Sequence, residues 1–184
     1  MITDHQPAYI SVDVETAGPN PSQYSLLSIG ACTIFEPQET FYIELQPFND
    51  DYLLESVLVG GLNWKRLKEK GIHPQTAMQR FAQWLGEVSQ GQDPIFVAFN
   101  APYDWMFVND YFYRYLGHNP FGHKALDIKA FYMGLAGVPW DETSMRHVSP
   151  RYLGDQQLTH HALRDALDQA QIFRQMLDEV KHKT

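Results

Sequence analysis

Tyr9-Ile10-Ser11-Val12-Asp13-Val14-Glu15-Thr16 is the stretch that decides the fold of this 184-residue chain. Side chains alternate across a β-strand, so the apolar residues are expected on one face and Asp13 and Glu15 on the other. Two carboxylates on one face cost desolvation energy and repel each other, which makes sense if a cation lies between them. Gly18-Pro19-Asn20-Pro21 then breaks the strand. Both acids therefore lie near the strand end, where α/β sheets usually keep their catalytic groups.

The composition of the chain predicts one domain, residues 1–184, with a substantial core. Hydrophobic residues make up 44% of the chain and aromatic residues 14%. The net charge of −8 argues against a broad basic surface for long duplex nucleic acid. It leaves nucleic acid open as a partner, because bound divalent ions neutralise acidic ligands. Cys32 is the only cysteine, so an intrachain disulfide and a cysteine-based zinc site are excluded. We expect a cytoplasmic protein with no membrane partner, because neither a signal sequence nor a spanning apolar run is visible.

The order of predicted elements indicates a mixed sheet with helices on its faces. Strands are predicted at residues 9–16, 24–35, 40–45, 95–100 and 125–126, and helices at 64–70, 74–89, 102–117, 128–136 and 161–180. The first three strands are joined by short turns, which predicts an antiparallel meander. Residues 46–63 are expected to be irregular and residues 137–158 to form a long loop. Leu27, Ile29, Val97 and Phe173 are expected in the core.

Two further acidic positions and one histidine extend the first pair. Asp104 follows the apolar fourth strand and falls in the first turn of a helix. The simpler interpretation is an acid that stabilises the helix dipole. If strands one and four are neighbours, however, Asp104 comes close to Asp13 and Glu15. His160 stands five residues before Asp165, and residues five apart in one helix point about 140° away from each other. The two can share a target only if His160 lies at the frayed helix start. Taken alone, His160 is interpreted as an ordinary surface histidine.

Together these motifs resemble those of the DEDDh 3′–5′ exonucleases. The resemblance rests on Asp13-Val-Glu15-Thr16-Ala-Gly18 with Leu27-Ser28-Ile29-Gly30-Ala31, on Asn100-Ala101-x-Tyr103-Asp104, and on His160-x-Ala162-x-x-Asp165-Ala166. It spans residues 8–177. Three positions depart from the family pattern: Pro19 stands where relatives carry a bulky apolar residue that wedges against terminal bases, Phe99 replaces a common His, and Tyr103 replaces the commoner Phe.

The resemblance implies a ribonuclease H-like α/β fold, with five strands in the order 3-2-1-4-5, strand two antiparallel, and flanking helices. It implies two divalent ions, Mg²⁺ or Mn²⁺, which suit oxygen ligands. Asp13, Glu15 and Asp165 would hold the ion that binds the attacking water, and Asp13 and Asp104 would support the second ion. His160 would take the proton of the water, a task that suits a group titrating near neutral pH. Thr16 and Ala17 would offer backbone groups to the terminal nucleotide, and Asn100 and Tyr103 complete the predicted substrate contacts.

The function implied is metal-dependent removal of nucleoside monophosphates from 3′ ends of single-stranded or short nucleic acid. The sequence does not separate DNA from RNA, and it leaves a homodimer open. Two alternatives remain at this point. One is a non-catalytic nucleic-acid or polymerase-associated module of the same fold, against which five intact chemical positions argue. The other is a metal-dependent phosphatase acting on small phosphoesters.

Overall fold

A computed structural model describes residues 7–154 and 160–183 of the chain. The strands are β1 (Tyr9–Thr16), β2 (Leu26–Thr33), β3 (Thr40–Glu44), β4 (Ile95–Ala98) and β5 (Ala125–Asp127). The helices are α1 (Leu54–Val59), α2 (Trp64–Lys70), α3 (Pro74–Ser89), α4 (Ala101–Leu116), α5 (Ile128–Ala136), a 3₁₀ turn (Trp140–Thr143), α6 (Met145–Tyr152) and α7 (Ala162–Lys183). None of the described helices is long and apolar enough to cross a bilayer.

The five strands form one sheet in the order β3-β2-β1-β4-β5. β2 pairs antiparallel with both β1 and β3, whereas β1–β4 and β4–β5 are parallel. The predicted strand order and the antiparallel β2 are therefore confirmed. This order makes β1 and β4 neighbours, so the carboxyl ends of these two parallel strands meet at one edge of the sheet. The acids of β1 and the start of α4 are brought together at that edge.

Helices cover both faces of the sheet, and the neighbours of β1, strands β2 and β4, are buried on both sides. Ile10, Val12 and Val14 pack in the core under α3 and α4, where Phe81 and Phe112 stack with ring centroids 5.5 Å apart. The opposite face packs against α5, α6 and α7. The four predicted core residues are all fully buried, at 0% exposure: Leu27, Ile29, Val97 and Phe173.

Small side chains let α7 lie very close to β1 and β2. Ser11 Oγ donates a 2.7 Å hydrogen bond to the Ala166 carbonyl, and Cys32 Sγ donates to the same oxygen at 3.5 Å. A Cβ atom on Gly30 would overlap the backbone of Ala162 and Leu163. Glycine is therefore required here for space, and the contact fixes the start of α7 over the middle of β2. Cys32 is buried core, as expected for a lone cysteine in a strand.

Two segments differ from the sequence prediction. Residues 46–63 are expected from the sequence to be irregular, but they contain α1. This helix has only six residues, and its N-cap Leu53 makes no side-chain capping bond, so the sequence carries neither a periodic pattern nor a capping motif that would predict it. The predicted loop at 137–158 contains the 3₁₀ turn and α6, with Pro150 in the last turn of α6. Residues 155–158 of that loop lie outside the described residues.

Candidate active site

Three carboxylates converge at the carboxyl end of β1. One oxygen from each of Asp13, Glu15 and Asp165 lies within 4.8 Å of the others. Asp13 and Glu15 share a face of β1 because they are two residues apart, and the first turn of α7 places Asp165 over that face. The structure thus brings together three of the four predicted acidic ligands.

Asp104 lies in the same pocket but outside this group of three. It is buried in the first turn of α4, and its Oδ1 accepts a 3.1 Å hydrogen bond from the Val14 backbone N–H. The bond ties the start of α4 to β1 between Asp13 and Glu15. The pocket holds about 220 Å³ and is lined by all five predicted chemical residues. A larger cavity of about 490 Å³ lies at the opposite end of β1 and contains none of them.

The negative charge in the pocket is poorly compensated. Desolvation raises the pKa of Asp13 well above its usual value, and repulsion from Asp104, Glu15 and Asp165 raises it further. Desolvation, followed by repulsion from Asp165, raises the pKa of Glu15 to about 7. Desolvation raises the pKa of Asp104 to about 8, against the lowering effect of the bond from Val14. Such a cluster binds protons or cations, because the fully ionised form repels itself.

Gln169 is a site residue that the sequence reasoning missed. Its Nε2 donates a 2.7 Å hydrogen bond to Asp13 Oδ1, and its Oε1 accepts a 2.9 Å bond from the Phe99 N–H. The side chain is 3% exposed, so both bonds are sheltered from water. Gln169 follows Asp165 by four residues, the spacing that puts two side chains on one helical face. That spacing was the one feature of the sequence that could have indicated Gln169 as a neighbour of the acidic ligands.

His160 and His161 lie in different surroundings. His160 is exposed and lines the acidic pocket; its φ of +49° is in the left-handed region, which is uncommon for a residue other than glycine. The ring of His161 instead stacks on Tyr42 of β3, with centroids 4.8 Å apart. The turn at His160 therefore separates two adjacent imidazoles, and only His160 lines the acidic pocket.

The four predicted substrate contacts differ in their exposure and in their hydrogen bonds within the protein. Asn100 is exposed, lines the pocket and makes no capping bond to α4. The hydroxyls of Tyr103 and Thr16 lie 2.7 Å apart, and both donate toward the Gly18 carbonyl. These two side chains therefore brace the turn after β1.

Ala17, the fourth predicted substrate contact, forms backbone hydrogen bonds within the protein. It is fully buried, its N–H donates to the Ser25 carbonyl, and its carbonyl accepts from the Leu53 N–H, each at 2.8 Å. The Ala17 N–H is therefore already paired within the protein, and a nucleotide contact by this residue stays a prediction.

Helix α1 ends next to Glu15 and has exposed apolar side chains. Leu53, just before the helix, bonds to Ala17, and the helix ends at Gly60, where a Cβ atom would lie 2.8 Å from Glu15 Oε2. Leu54 and Leu58 are 64% and 68% exposed, which is high for leucine. An apolar surface beside acids suits the face of a base whose phosphate lies at the acids.

The fold of this chain is shared by solved exonuclease structures. Two solved structures share the fold: the nuclease domain of 3′hExo, a DEDDh family member, bound to rAMP (TM-score 0.80, 15% identity, covering 96% of this chain and 94% of that one), and Escherichia coli exonuclease I in complex with a dT13 oligonucleotide (TM-score 0.74, 16% identity, covering 97% of this chain and 42% of that one).

The family follows from the sequence comparison. The family model described as the 3′–5′ exoribonuclease Rv2179c-like domain matches residues 8–177, and the chain belongs to this family. It is also 42% identical to the 3′–5′ DNA exonuclease Cap18 of Escherichia coli over 188 residues, covering 100% of this chain and 97% of that protein. The chain is a 3′–5′ exonuclease.

Proposed function

We propose that this exonuclease uses divalent ions, Mg²⁺ or Mn²⁺, to release nucleoside monophosphates one at a time from the 3′ end of single-stranded or short nucleic acid. The observation that carries the proposal is the grouping of the Asp13, Glu15 and Asp165 oxygens within 4.8 Å, in a pocket that His160 also lines.

The donor set fits hard divalent cations. Every candidate ligand atom is a carboxylate oxygen, and Mg²⁺ and Mn²⁺ prefer such oxygens. The raised pKa values of Asp13 and Glu15 fit a pocket that lacks a compensating positive charge, which a cation would supply. When bound, the ions would neutralise charge on the phosphodiester and favour an ionised attacking water. Asp13, Glu15 and Asp165 would hold one ion, and Asp13 with Asp104 a second.

The side chains around the ligands would orient them and move a proton. Gln169 donates one amide hydrogen bond to the Asp13 carboxylate and so fixes its orientation. The other lone pairs of that carboxylate remain available to cations. His160 would accept the proton of the attacking water, because it lines the pocket and a histidine exchanges protons near neutral pH. All these groups belong to one chain, so the chemistry does not require a second copy.

The surroundings support a single-stranded 3′ end as substrate. The pocket is small. The exposed leucines of α1 offer the terminal base an apolar contact, which could replace the bulky apolar side chain that relatives carry at the position of Pro19. Asn100 is exposed in the pocket and is free to contact the sugar or base. The 42% identical relative favours DNA, whereas the description of the family favours RNA, so both belong in the experiment.

The test is a time course with labelled DNA and RNA oligomers in Mg²⁺, Mn²⁺ or EDTA. We expect cleavage only with metal, and loss of nearly all cleavage in Asp13→Asn and Asp165→Asn while both variants remain folded. Asp178→Asn is the matched control, because Asp178 is an exposed acid on the same helix as Asp165. Binding without cleavage by the wild type would instead support a non-catalytic module. Cleavage of a chromogenic phosphomonoester but not of oligomers would indicate a phosphatase.

A further inference from the structure

We propose that Lys129, Trp140 and Arg146 form a binding surface for the single-stranded nucleotides that precede the two joined by the scissile phosphodiester. The inference rests on the proposed function, because it assumes that the 3′-terminal phosphodiester lies at the acidic pocket. We call these three residues the strand-binding surface.

The first observation is where the unpaired positive charges lie. Nine of the described lysines and arginines have a carboxylate oxygen within 4.0 Å. Among the lysine and arginine side chains that the structure describes, four have no such partner within the described residues: Lys70, Arg80, Lys129 and Arg146. In a chain of net charge −8, these four described side chains can contact phosphates without first breaking an ion pair to a described carboxylate. Two of the four are connected to the pocket: Arg146 directly follows Met145, which lines it, and Lys129 contacts the segment that leads to Met145.

A hydrogen bond joins the start of α5, which carries Lys129, to the start of α4 next to the pocket. Lys129 is in the first turn of α5, two residues after Asp127. Asp127 Oδ2 accepts a 2.6 Å bond from the Ala101 N–H, which begins α4, the helix that carries Asp104. The starts of α4 and α5 are thus joined at the edge of the sheet that holds the acids.

The 3₁₀ turn and α6 lead from Lys129 to the pocket. Lys129 Nζ lies 4.3 Å from the centroid of the Trp140 ring, which is 52% exposed. Trp140 begins the 3₁₀ turn that runs directly into α6, whose first residue, Met145, lines the acidic pocket. Arg146 follows Met145 and is exposed. These residues therefore form a continuous border from the pocket outward.

The chemistry of this border fits a flexible single strand. Proteins bind single strands with cations along the backbone and aromatic rings on which bases stack. Lys129 can hold Trp140 by a cation–π contact on one ring face, so that the exposed part of the ring meets a base. Arg146 would contact a phosphate, which supplies little sequence preference. A duplex would not present its bases to Trp140, so the surface selects for single strands.

The experiment compares a dinucleotide with a 12-mer of the same bases. Trp140→Ala should raise KM for the 12-mer by roughly 5- to 100-fold, the effect of losing one stacked base, and Trp140→Phe should restore most of the binding. Arg146→Gln and Lys129→Gln should each reduce the slope of log(kcat/KM) against log salt by about 0.7. All variants should cleave the dinucleotide at the wild-type rate. Arg80→Gln is the control, because Arg80 is an exposed arginine on α3 with no carboxylate partner among the described residues, and it should change neither quantity.

Binding of a 5′-fluorescent 12-mer in EDTA, followed by anisotropy, separates the two proposals. Weaker binding by Trp140→Ala, together with a wild type that cleaves nothing, would retain the surface and reject the catalytic proposal. An active wild type whose KM and salt slope are unchanged in Trp140→Ala and Arg146→Gln would overturn the surface. Equal losses on the dinucleotide and the 12-mer would also overturn it, because they would indicate damage to the pocket.

Discussion

Gly30→Ala tests whether the close approach of α7 to the sheet sets the geometry of the site. The added Cβ atom would lie about 1.3 Å closer to the backbone of Ala162 and Leu163 than the 3.4 Å at which ordinary contacts begin. Backbone cannot rotate away as a side chain can, so the start of α7 must move by about 1 Å. That movement displaces His160 and Asp165 relative to Asp13. A misplacement of about 1 Å can cost about 10²-fold in rate. We therefore expect kcat to fall by about that factor.

The assay is steady-state cleavage of a 12-mer, with the melting temperature measured in parallel. Overpacking typically costs about 1–3 kcal/mol, so Gly30→Ala should remain folded at a lower melting temperature. Gly86→Ala is the control, because Gly86 lies inside α3 and an added Cβ atom there would project into open space; it should leave kcat unchanged and raise stability by about 0.5–1 kcal/mol. A Gly30→Ala protein with wild-type kcat and melting temperature would refute the reasoning.

Three further predictions concern the pocket itself. In EDTA the melting temperature should fall as pH rises from about 4 to 8. The folded-state pKa values of Glu15 and Asp104 are raised to about 7 and about 8, so the stability that their protonated forms contribute is lost over this range. Mg²⁺ should remove this decline, and scanning fluorimetry across pH measures both effects. His160→Ala should lose roughly 10²–10⁴-fold in kcat while Mn²⁺ still binds, and His161→Ala should lose far less. Gln169→Leu should weaken Mn²⁺ binding by about 10–100-fold in calorimetry.

Each of these three predictions can be contradicted by a specific result. A melting temperature that rises with pH in EDTA would show that the carboxyl groups are not destabilised by burial. An inactive His161→Ala beside an active His160→Ala would exchange the roles of the two histidines. Unchanged Mn²⁺ affinity in Gln169→Leu would mean that the bond to Asp13 does not help to hold a cation.

The sequence is most informative where local signals are strong. The alternation in β1 predicts a strand over 9–16, which is confirmed. The α5 boundaries also match the prediction, because Asp127 caps the first turn through the Ala130 N–H and Gly137 ends the helix at φ +67°. The apolar pattern of β4 predicts an internal strand, whereas its pairing with β1, which brings Asp104 near Asp13, is implied only by the family resemblance.

The missed features depend on contacts between distant segments. α1 is held by Leu53 against Ala17 and not by its own capping or periodicity, so the sequence alone could not reveal it or the use of the Ala17 backbone. Gln169 gains its role only because Asp13 in β1 and Phe99, just after the neighbouring β4, both lie beneath α7. His161 could be separated from His160 by spacing, but its stacking partner Tyr42 requires knowledge of the β3 edge.

The most direct test of the metal-dependent exonuclease is the polarity of cleavage. One oligomer, labelled at its 5′ end in one tube and at its 3′ end in another, is incubated with the wild-type protein in Mg²⁺ and in EDTA. With Mg²⁺ we predict a ladder that shortens one nucleotide at a time from the 5′-labelled strand, and immediate release of a labelled mononucleotide from the 3′-labelled strand. In EDTA both strands should remain intact. Full cleavage in EDTA, or labelled mononucleotides released first from the 5′ end, would contradict the account.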